Sequence, residues 1–336
     1  MIHPNTLHLG DCLQIMAQLP DKSVQLIIAD PPYFEVKGKF DFVWSSFDDY
    51  LKDVEKWAKE FKRVLADNGT LLYYGHAKKI AYSQIILDKY FNLENSLVWE
   101  KNECQNRRQD FEQSRCFAPV TERILMYSNE VLMTGLQKIY SNPNCFLPIK
   151  EYLREQRELV KQKFGFTTTN QFNQFCNKVT KTNSKVSRHC FADSQFELIM
   201  DYQYYALREA TGFFQKPYEV LRQEYEVLRQ EYEVLRRPFN NIYKLTDVLK
   251  FSQESHITKD YDHPTQKPMK LTRALIQTCS RQNDLVVIPF AGSGTELVAL
   301  IEENRQFIGC EIDTEYYEIA KGRIEKALEA KTEKLF

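Results

Sequence analysis

A six-residue apolar run, VQLIIA at positions 24–29, stops abruptly at Asp30-Pro31-Pro32-Tyr33. The run reads as a buried strand ending at Asp30. In open α/β sheets, ligands bind just past the C-terminal ends of the strands. The two prolines fix φ and remove two N–H donors, so the loop is stiff and offers carbonyl oxygens. A rigid acceptor pair beside an aromatic ring suits a flat substrate with an exocyclic amine. A Pro-Pro turn with a helix-capping Asp explains the same four residues, and from them alone both readings stand.

The pattern around this run repeats. Strands are expected at 7–9, 70–74 and 93–100, with helices from Asp11 to Leu19, at 47–66 and at 80–89. Asn68-Gly69 marks the stop of the second helix. The last quarter resumes the rhythm: helix 268–281, strand 285–288, a glycine-containing loop, helix 296–304, strand 307–311 and helix 315–328. Such alternation predicts an α/β fold, a mostly parallel twisted sheet with helices on both faces. The sheet is encoded in two blocks, 1–100 and 261–336, as halves of one domain around an insert at 101–260.

The insert loses the rhythm and is rich in Asn, Gln, Lys and Arg. Its stretch NKVTKTNSKVSRH, at 177–189, carries four cations and no acid. Cations with small hydroxyl and amide donors suit phosphate contact, although a charge run is also the ordinary make-up of a solvated face. Further on, YEVLRQE occurs twice and begins a third time, so Tyr218/Leu221, Tyr225/Leu228 and Tyr232/Leu235 recur every seven residues over 218–237. That period predicts an amphipathic helix packed by its Tyr/Leu seam. An oligomer contact, or a DNA-facing helix using Arg222, Arg229, Arg236 and Arg237, is the alternative.

At 336 residues and a net charge of −1, the chain is long enough for a large core and is balanced in charge. A nucleic-acid partner is compatible with that balance, because a local basic face matters more than the sum. The N-terminus lacks a basic stretch followed by an apolar one, and no apolar run approaches a membrane span, so a secretory signal and a membrane partner are not expected. The 8 cysteines form no CxxC pair and have no metal-ligand spacing with histidine. They are expected as free thiols, with no metal.

A second constellation lies in the last quarter. VVIPFAGSGT, at 286–295, runs from a strand through Gly292-Ser293-Gly294 into a helix, where small residues admit a ligand and the helix N-terminus offers free N–H groups. The next strand ends at Glu311, where a carboxylate accepts from ribose hydroxyls. A nucleoside-containing cofactor follows from the pair. The third glycine of the dinucleotide pattern is missing, and so is a P-loop pattern, which points away from NAD and from nucleotide hydrolysis.

With both elements in view, the chain resembles the S-adenosylmethionine (AdoMet)-dependent DNA amino-methyltransferases, which modify adenine N6 or cytosine N4. In that family a D/N/S-P-P-Y/F/W tetrapeptide is the catalytic loop and an F-x-G-x-G loop binds AdoMet. Here they are Asp30-Pro31-Pro32-Tyr33 and Phe290-Ala291-Gly292-Ser293-Gly294, in the order of the family's β group. Leu9-Gly10-Asp11-Cys12, His263-Pro264-Thr265-Gln266-Lys267-Pro268 and Ile308-Gly309-Cys310-Glu311-Ile312-Asp313 resemble further family segments. Two departures stand out: Ile288 occupies a position that is usually Asp, near the methionine part of the cofactor, and Phe34 one where Asn is common.

The resemblance implies direct methyl transfer to an exocyclic amine of a flipped base in double-stranded DNA. Asp30 and the Pro31 carbonyl would hold the amine, with Pro32 completing the loop, Tyr33 stacking on the base and Phe34 lining its pocket. Asp11, Cys12, Asp30, Thr265, Gln266, Lys267, Phe290, Ala291, Gly292, Ser293, Gly294, Thr295, Glu311 and Ile312 would line the cofactor. Asp at the first tetrapeptide position favours adenine N6 over cytosine N4. The insert is the expected target-recognition region, with Arg107, Arg108, Arg115, Lys178, Lys181, Lys185 and Arg188 as candidate DNA contacts. A cytoplasmic enzyme is expected, with a cognate restriction endonuclease and a homodimer as further candidate partners. RNA or protein-amide methylation, and a DNA-binding protein impaired in catalysis through Ile288, are the competing readings.

Overall fold

The computed structural model describes residues 2–34, 43–101, 115, 117, 120–129, 145–182, 186–191, 196–252 and 267–333. The chain divides into two compact units, Met1–Val131 with Arg237–Phe336, and Leu132–Arg236.

The first unit is built on an eight-stranded sheet of β1 (Thr6–Leu9), β2 (Val24–Ala29), β3 (Leu65–Gly75), β4 (Asn92–Glu100), β5 (Thr121–Ser128), β6 (Val248–Lys250), β7 (Leu285–Ile288) and β8 (Gln306–Glu311), in the order β1-β8-β7-β2-β3-β5-β4-β6. The run from β1 to β3 is parallel. β5 lies antiparallel between β3 and β4, and β6 joins the far edge parallel to β4. The mostly parallel sheet is as expected. The insert boundaries at 101 and 260 are corrected to 131/132 and 236/237, because TERILMYS and VLK pair into the sheet.

β2 shows why the central strands read as apolar runs. Val24, Ile27 and Ala29 enter one core and Leu26 and Ile28 the other. Parallel strands are covered on both faces, so no polar alternation is left to see. The first core is closed by α1 (Cys12–Met16), α2 (Phe47–Val64) and α3 (Ile80–Leu87), which share it with Leu71 and Tyr73 of β3. The second is closed by α8 (Met269–Cys279), α9 (Thr295–Glu302) and α10 (Thr314–Glu333), against Leu72 and Tyr74; α4 to α7 belong to the other unit.

α2 illustrates the local rules. Ser46 caps it by accepting from Asp49 N, acids fill the first turn and Lys62 and Arg63 the last, as the helix dipole favours. It ends at Val64, short of the expected Ala66. Leu65 is extended and pairs at once with Val24, and the next rung is Leu26 with Thr70. Ala66 to Gly69 are therefore accommodated as an irregularity in β3, and Asn68-Gly69 lies within the strand rather than at the stop of the helix.

The second unit contains α4 (Leu147–Phe164), α5 (Thr169–Thr180), α6 (Asp201–Thr211) and α7 (Tyr218–Leu235) around its own core. Gly165 and Gly212, at φ 69° and 74°, close α4 and α6 in the left-handed conformation that glycine adopts without a Cβ penalty. α7 carries the heptads, and its seam packs as the period predicts, but unequally. Tyr218 and Leu221 are buried, Tyr225, Leu228 and Tyr232 are partly buried, and Leu235 is 62% exposed. Arg237, offered above as a DNA-facing cation, is buried in the first unit beside Glu94, at 3.7 Å. Leu221→Ala should therefore cost about 2–5 kcal/mol in urea unfolding and Leu235→Ala less than about 0.5 kcal/mol, although the two leucines occupy the same heptad position. Equal costs would contradict the graded packing.

Candidate active site

The rungs Leu26–Val286 and Ile27–Val287 align β2 with β7. Asp30 and Phe290 each lie three residues beyond the second rung, so their loops leave the sheet side by side. From β2 the chain proceeds to β3 on one side, and from β7 to β8 on the other. Loops that diverge in this way leave a crevice at the C-terminal edge of the sheet.

Both oxygens of Asp30 are engaged. The Tyr33 hydroxyl donates to Oδ1, and Lys267 Nζ lies 2.8 Å from Oδ2. Lys267 is buried, 3.2 Å from Glu122 Oε2, and it donates to the Tyr33 hydroxyl at 3.1 Å. Lys101 pairs with Glu122 in turn. The result is a chain of alternating charge: Asp30, Lys267, Glu122, Lys101. Burial pushes the Asp30 carboxyl above its ordinary value and Glu122 adds to this, against the pull of Lys267 and Tyr33. Burial also works against the Lys267 ammonium, but Asp30 and Glu122 outweigh it and raise its pKa. Glu122 is held below the usual carboxylate range: burial raises it, and Lys267 and Lys101 prevail. Phe34 is turned into the first core, at φ 59°, against Phe47 and Tyr50. Its ring, expected to line a base pocket, is a packing group, with Lys79 bonded to its carbonyl.

The glycine loop is fastened from three sides. Gly292 N donates to Glu311 Oε2 at 2.6 Å, and Ala291 N to the Cys310 carbonyl at 2.8 Å. Arg323 of α10 donates to the Ser293 carbonyl, Ser293 Oγ and Thr295 Oγ1. Gly294, at φ 80°, leads into α9, and a Cβ there would stand 2.9 Å from that of Ala320. Phe290 meets Trp57 edge to face at 4.9 Å. Glu311 also accepts from Asp313 N, and its backbone carbonyl from Gly10 N. Burial pushes its carboxyl up, and the N–H groups oppose this. Beside it Ile312 is 72% exposed, an apolar side chain left open at the strand end.

Asp11 caps α1, accepting from Leu13 N and Gln14 N, and Cys12 is buried behind it. Ile288 lies in the second core. Glu296, in the first turn of α9, is a buried carboxyl whose pKa is pushed up to about 7, by burial and then by Asp30. Lys178 and Lys181 are exposed in the second unit, and Arg115 is exposed in the first. Thr265, Gln266, Arg107, Arg108, Lys185 and the Arg188 side chain lie outside the described residues. Glu122, Arg323, Trp57 and Glu296 were not expected from the sequence. The apolar run ILMY after Glu122 signals its strand; nothing local marks Arg323, one cation on a charged helix.

The family model described as DNA methylase, of the N6/N4 class, matches residues 24–322, from the start of β2 into α10. The chain belongs to the DNA methylase family. It is thus an AdoMet-dependent DNA amino-methyltransferase. Among similar family members, the type II methyltransferase M.HinfI of Haemophilus influenzae is 24% identical, over 95% of this chain and 68% of that protein. The DNA adenine methyltransferase YhdJ of Escherichia coli K12 is 24% identical, over 97% and 84%. The fold is shared with the cytosine-N4-specific PvuII DNA methyltransferase, at a TM-score of 0.53 and 13% identity over 96% and 90% of the two chains. It is shared also with the M1.HpyAVI–SAM complex, at 0.51 and 18% over 95% and 98%.

Glu296 gives this methyltransferase a measurable pH dependence. A carboxyl with a raised folded pKa supports stability below its unfolded pKa, and that support is lost as pH rises through the folded one, here from the ordinary carboxyl value of 4.5 to about 7. Glu296→Gln removes the loss: the cofactor-free variant should match wild type at about pH 4.5 and exceed it at about pH 8 by on the order of 2 kcal/mol in urea unfolding. A difference independent of pH would refute the assignment.

Proposed function

We propose that the crevice between the β2 and β7 loops methylates the N6 amine of adenine in duplex DNA, with Asp30 and the Pro31 carbonyl holding the amine. The observation that carries this reading is the juxtaposition: a partly buried, strand-end carboxylate beside an aromatic ring, one strand from a glycine loop fastened to an acid.

The residues fit AdoMet. Gly292 and Gly294 keep side chains out of the loop, and Glu311 retains acceptor capacity for ribose hydroxyls beside its two backbone bonds. Ile312 offers an apolar face for the adenine ring. When bound, AdoMet supplies an electrophilic methyl group on a sulfonium. The lone pair of an aromatic amine is delocalised into its ring, and hydrogen bonds from the amine to Asp30 and Pro31 draw the nitrogen toward tetrahedral geometry. That frees the lone pair and aims it, so catalysis is positioning and electrostatics without a covalent enzyme intermediate. Tyr33 stacks on the base once it is extrahelical, which the depth of the site requires. Ionised, Asp30 accepts through both oxygens; protonated, it gives up one of them to an O–H donor.

Asp at the first tetrapeptide position and the adenine specificity of the relative YhdJ favour adenine N6. Cytosine N4 is the second reading, because the same fold carries that activity in PvuII methyltransferase. The second unit, with Lys178 and Lys181 exposed, is the proposed target-recognition region. The type II names of the relatives extend the proposal to a cognate restriction endonuclease.

Sequencing of DNA from cells expressing the chain, with detection of modified bases, tests base and site together; methylcytosine alone would establish the second reading. Asp30→Ala should lower kcat by at least about 100-fold with duplex affinity unchanged. A variant that methylates near the wild-type rate removes Asp30 from the chemistry. In calorimetry Glu311→Ala should weaken AdoMet binding at least about tenfold, the loss of a charge-assisted hydrogen bond. Unaltered binding would place the ribose elsewhere.

A further inference from the structure

Lys267 stands out among the buried groups because its partners are inconsistent with a role on the cofactor alone. An ammonium taken from water must be paired and hydrogen-bonded, or it loses its proton. Here three acceptors surround it: Asp30 Oδ2 at 2.8 Å, the Tyr33 hydroxyl at 3.1 Å and Glu122 Oε2 at 3.2 Å. Its Nζ also lies 5.0 Å from the ring centre of Tyr74 and 5.4 Å from that of Tyr33. Two carboxylates, as ion pairs, and one hydroxyl, by a hydrogen bond, thus oppose a single ammonium.

We infer that Lys267, braced by Glu122, is the positioning residue of the Asp30 carboxylate: it pins Oδ2 and leaves Oδ1, now taken by the Tyr33 hydroxyl, as the oxygen that receives the target amine. The inference rests on the function proposed above. When Tyr33 stacks on a base, its hydroxyl must leave Oδ1. Without a second tether the carboxylate would then be free to rotate; Lys267 holds it. Glu122 matters because one ammonium between two carboxylates is fixed from both sides, and Lys101 compensates the extra negative charge. The titratable groups facing Asp30 are Lys267, Glu122, Tyr33, Tyr74 and Glu296. Among these, Lys267 alone is cationic.

Two substitutions act on Asp30 with opposite sign. Lys267→Met leaves two carboxylates facing each other in a low dielectric, so Asp30 holds its proton to higher pH. Glu122→Gln removes the opposing anion, so Asp30 ionises at lower pH. With full-length protein, tritiated AdoMet and unmethylated bacterial chromosomal DNA, the acid limb of the kcat profile should rise by at least about one pH unit in Lys267→Met and fall by about half a unit in Glu122→Gln. Lys267→Arg should restore the wild-type limb. AdoMet affinity by calorimetry should stay within about threefold of wild type in all three variants, less than the loss of one hydrogen bond would produce. If the limbs do not move, or move together, or if Lys267→Met loses AdoMet affinity tenfold, the inference is overturned. Should Lys267→Met fail to fold, a Glu122→Gln limb that does not fall overturns it equally. Wild-type protein that transfers no methyl group to DNA would instead defeat the underlying function.

Discussion

Two parallel rungs, Leu26 with Val286 and Ile27 with Val287, hold the site together. They join segments far apart in the chain, and a third tie beside them, from Leu285 N to Gln25 Oε1, spans 260 residues. Everything downstream depends on this pairing. It puts the Asp30 loop beside the glycine loop, and it places β2 at the point where the chain departs in opposite directions. Both strands are buried on their two faces, so a shift of register by one residue would exchange the two cores wholesale. The register is therefore strongly specified, and the relation between the two loops with it.

Electrostatics then works within that frame. Behind the tetrapeptide lie Leu26, Ile28, Leu72, Tyr74 and Trp99, an apolar wall with little capacity to solvate charge. An ion pair in such a place contributes little net stability, because the desolvation of both partners opposes their attraction. Its effect is geometric. A carboxylate held by a buried ammonium has few alternative positions, and the second carboxylate, Glu122, restricts the ammonium in the same way. On the other side of the crevice, Glu311 and Arg323 do for a backbone loop what Lys267 does for a side chain.

The second unit follows simpler rules. Its heptads repeat the same Tyr and Leu positions, yet burial declines along α7 as the helix leaves the core of Phe146, Phe196 and Tyr204. The period dictates which face is apolar; the extent of the neighbouring helices decides how far that face is covered.

Much of the fold was legible because it is local. The apolar runs at β2 and β7, the Gly-Ser-Gly turn and the Tyr/Leu period each carry their own physical signal over a few residues. β5 was not read as part of the sheet, because it pairs antiparallel and follows a polar stretch that hides the rhythm. Leu65 fits the helical period, and its extended state comes from pairing with Val24. Phe34 follows the tetrapeptide as a pocket residue would, whereas Phe47 and Tyr50 draw it into the core. By itself the sequence determined the two loops and the family, since a few residues suffice to specify a stiff acceptor loop or a glycine turn. The tertiary structure decided that Lys267 meets Asp30, that Glu122 braces it and that Arg323 fastens the glycine loop. Those partners are chosen by strand order and helix packing, which no local pattern encodes.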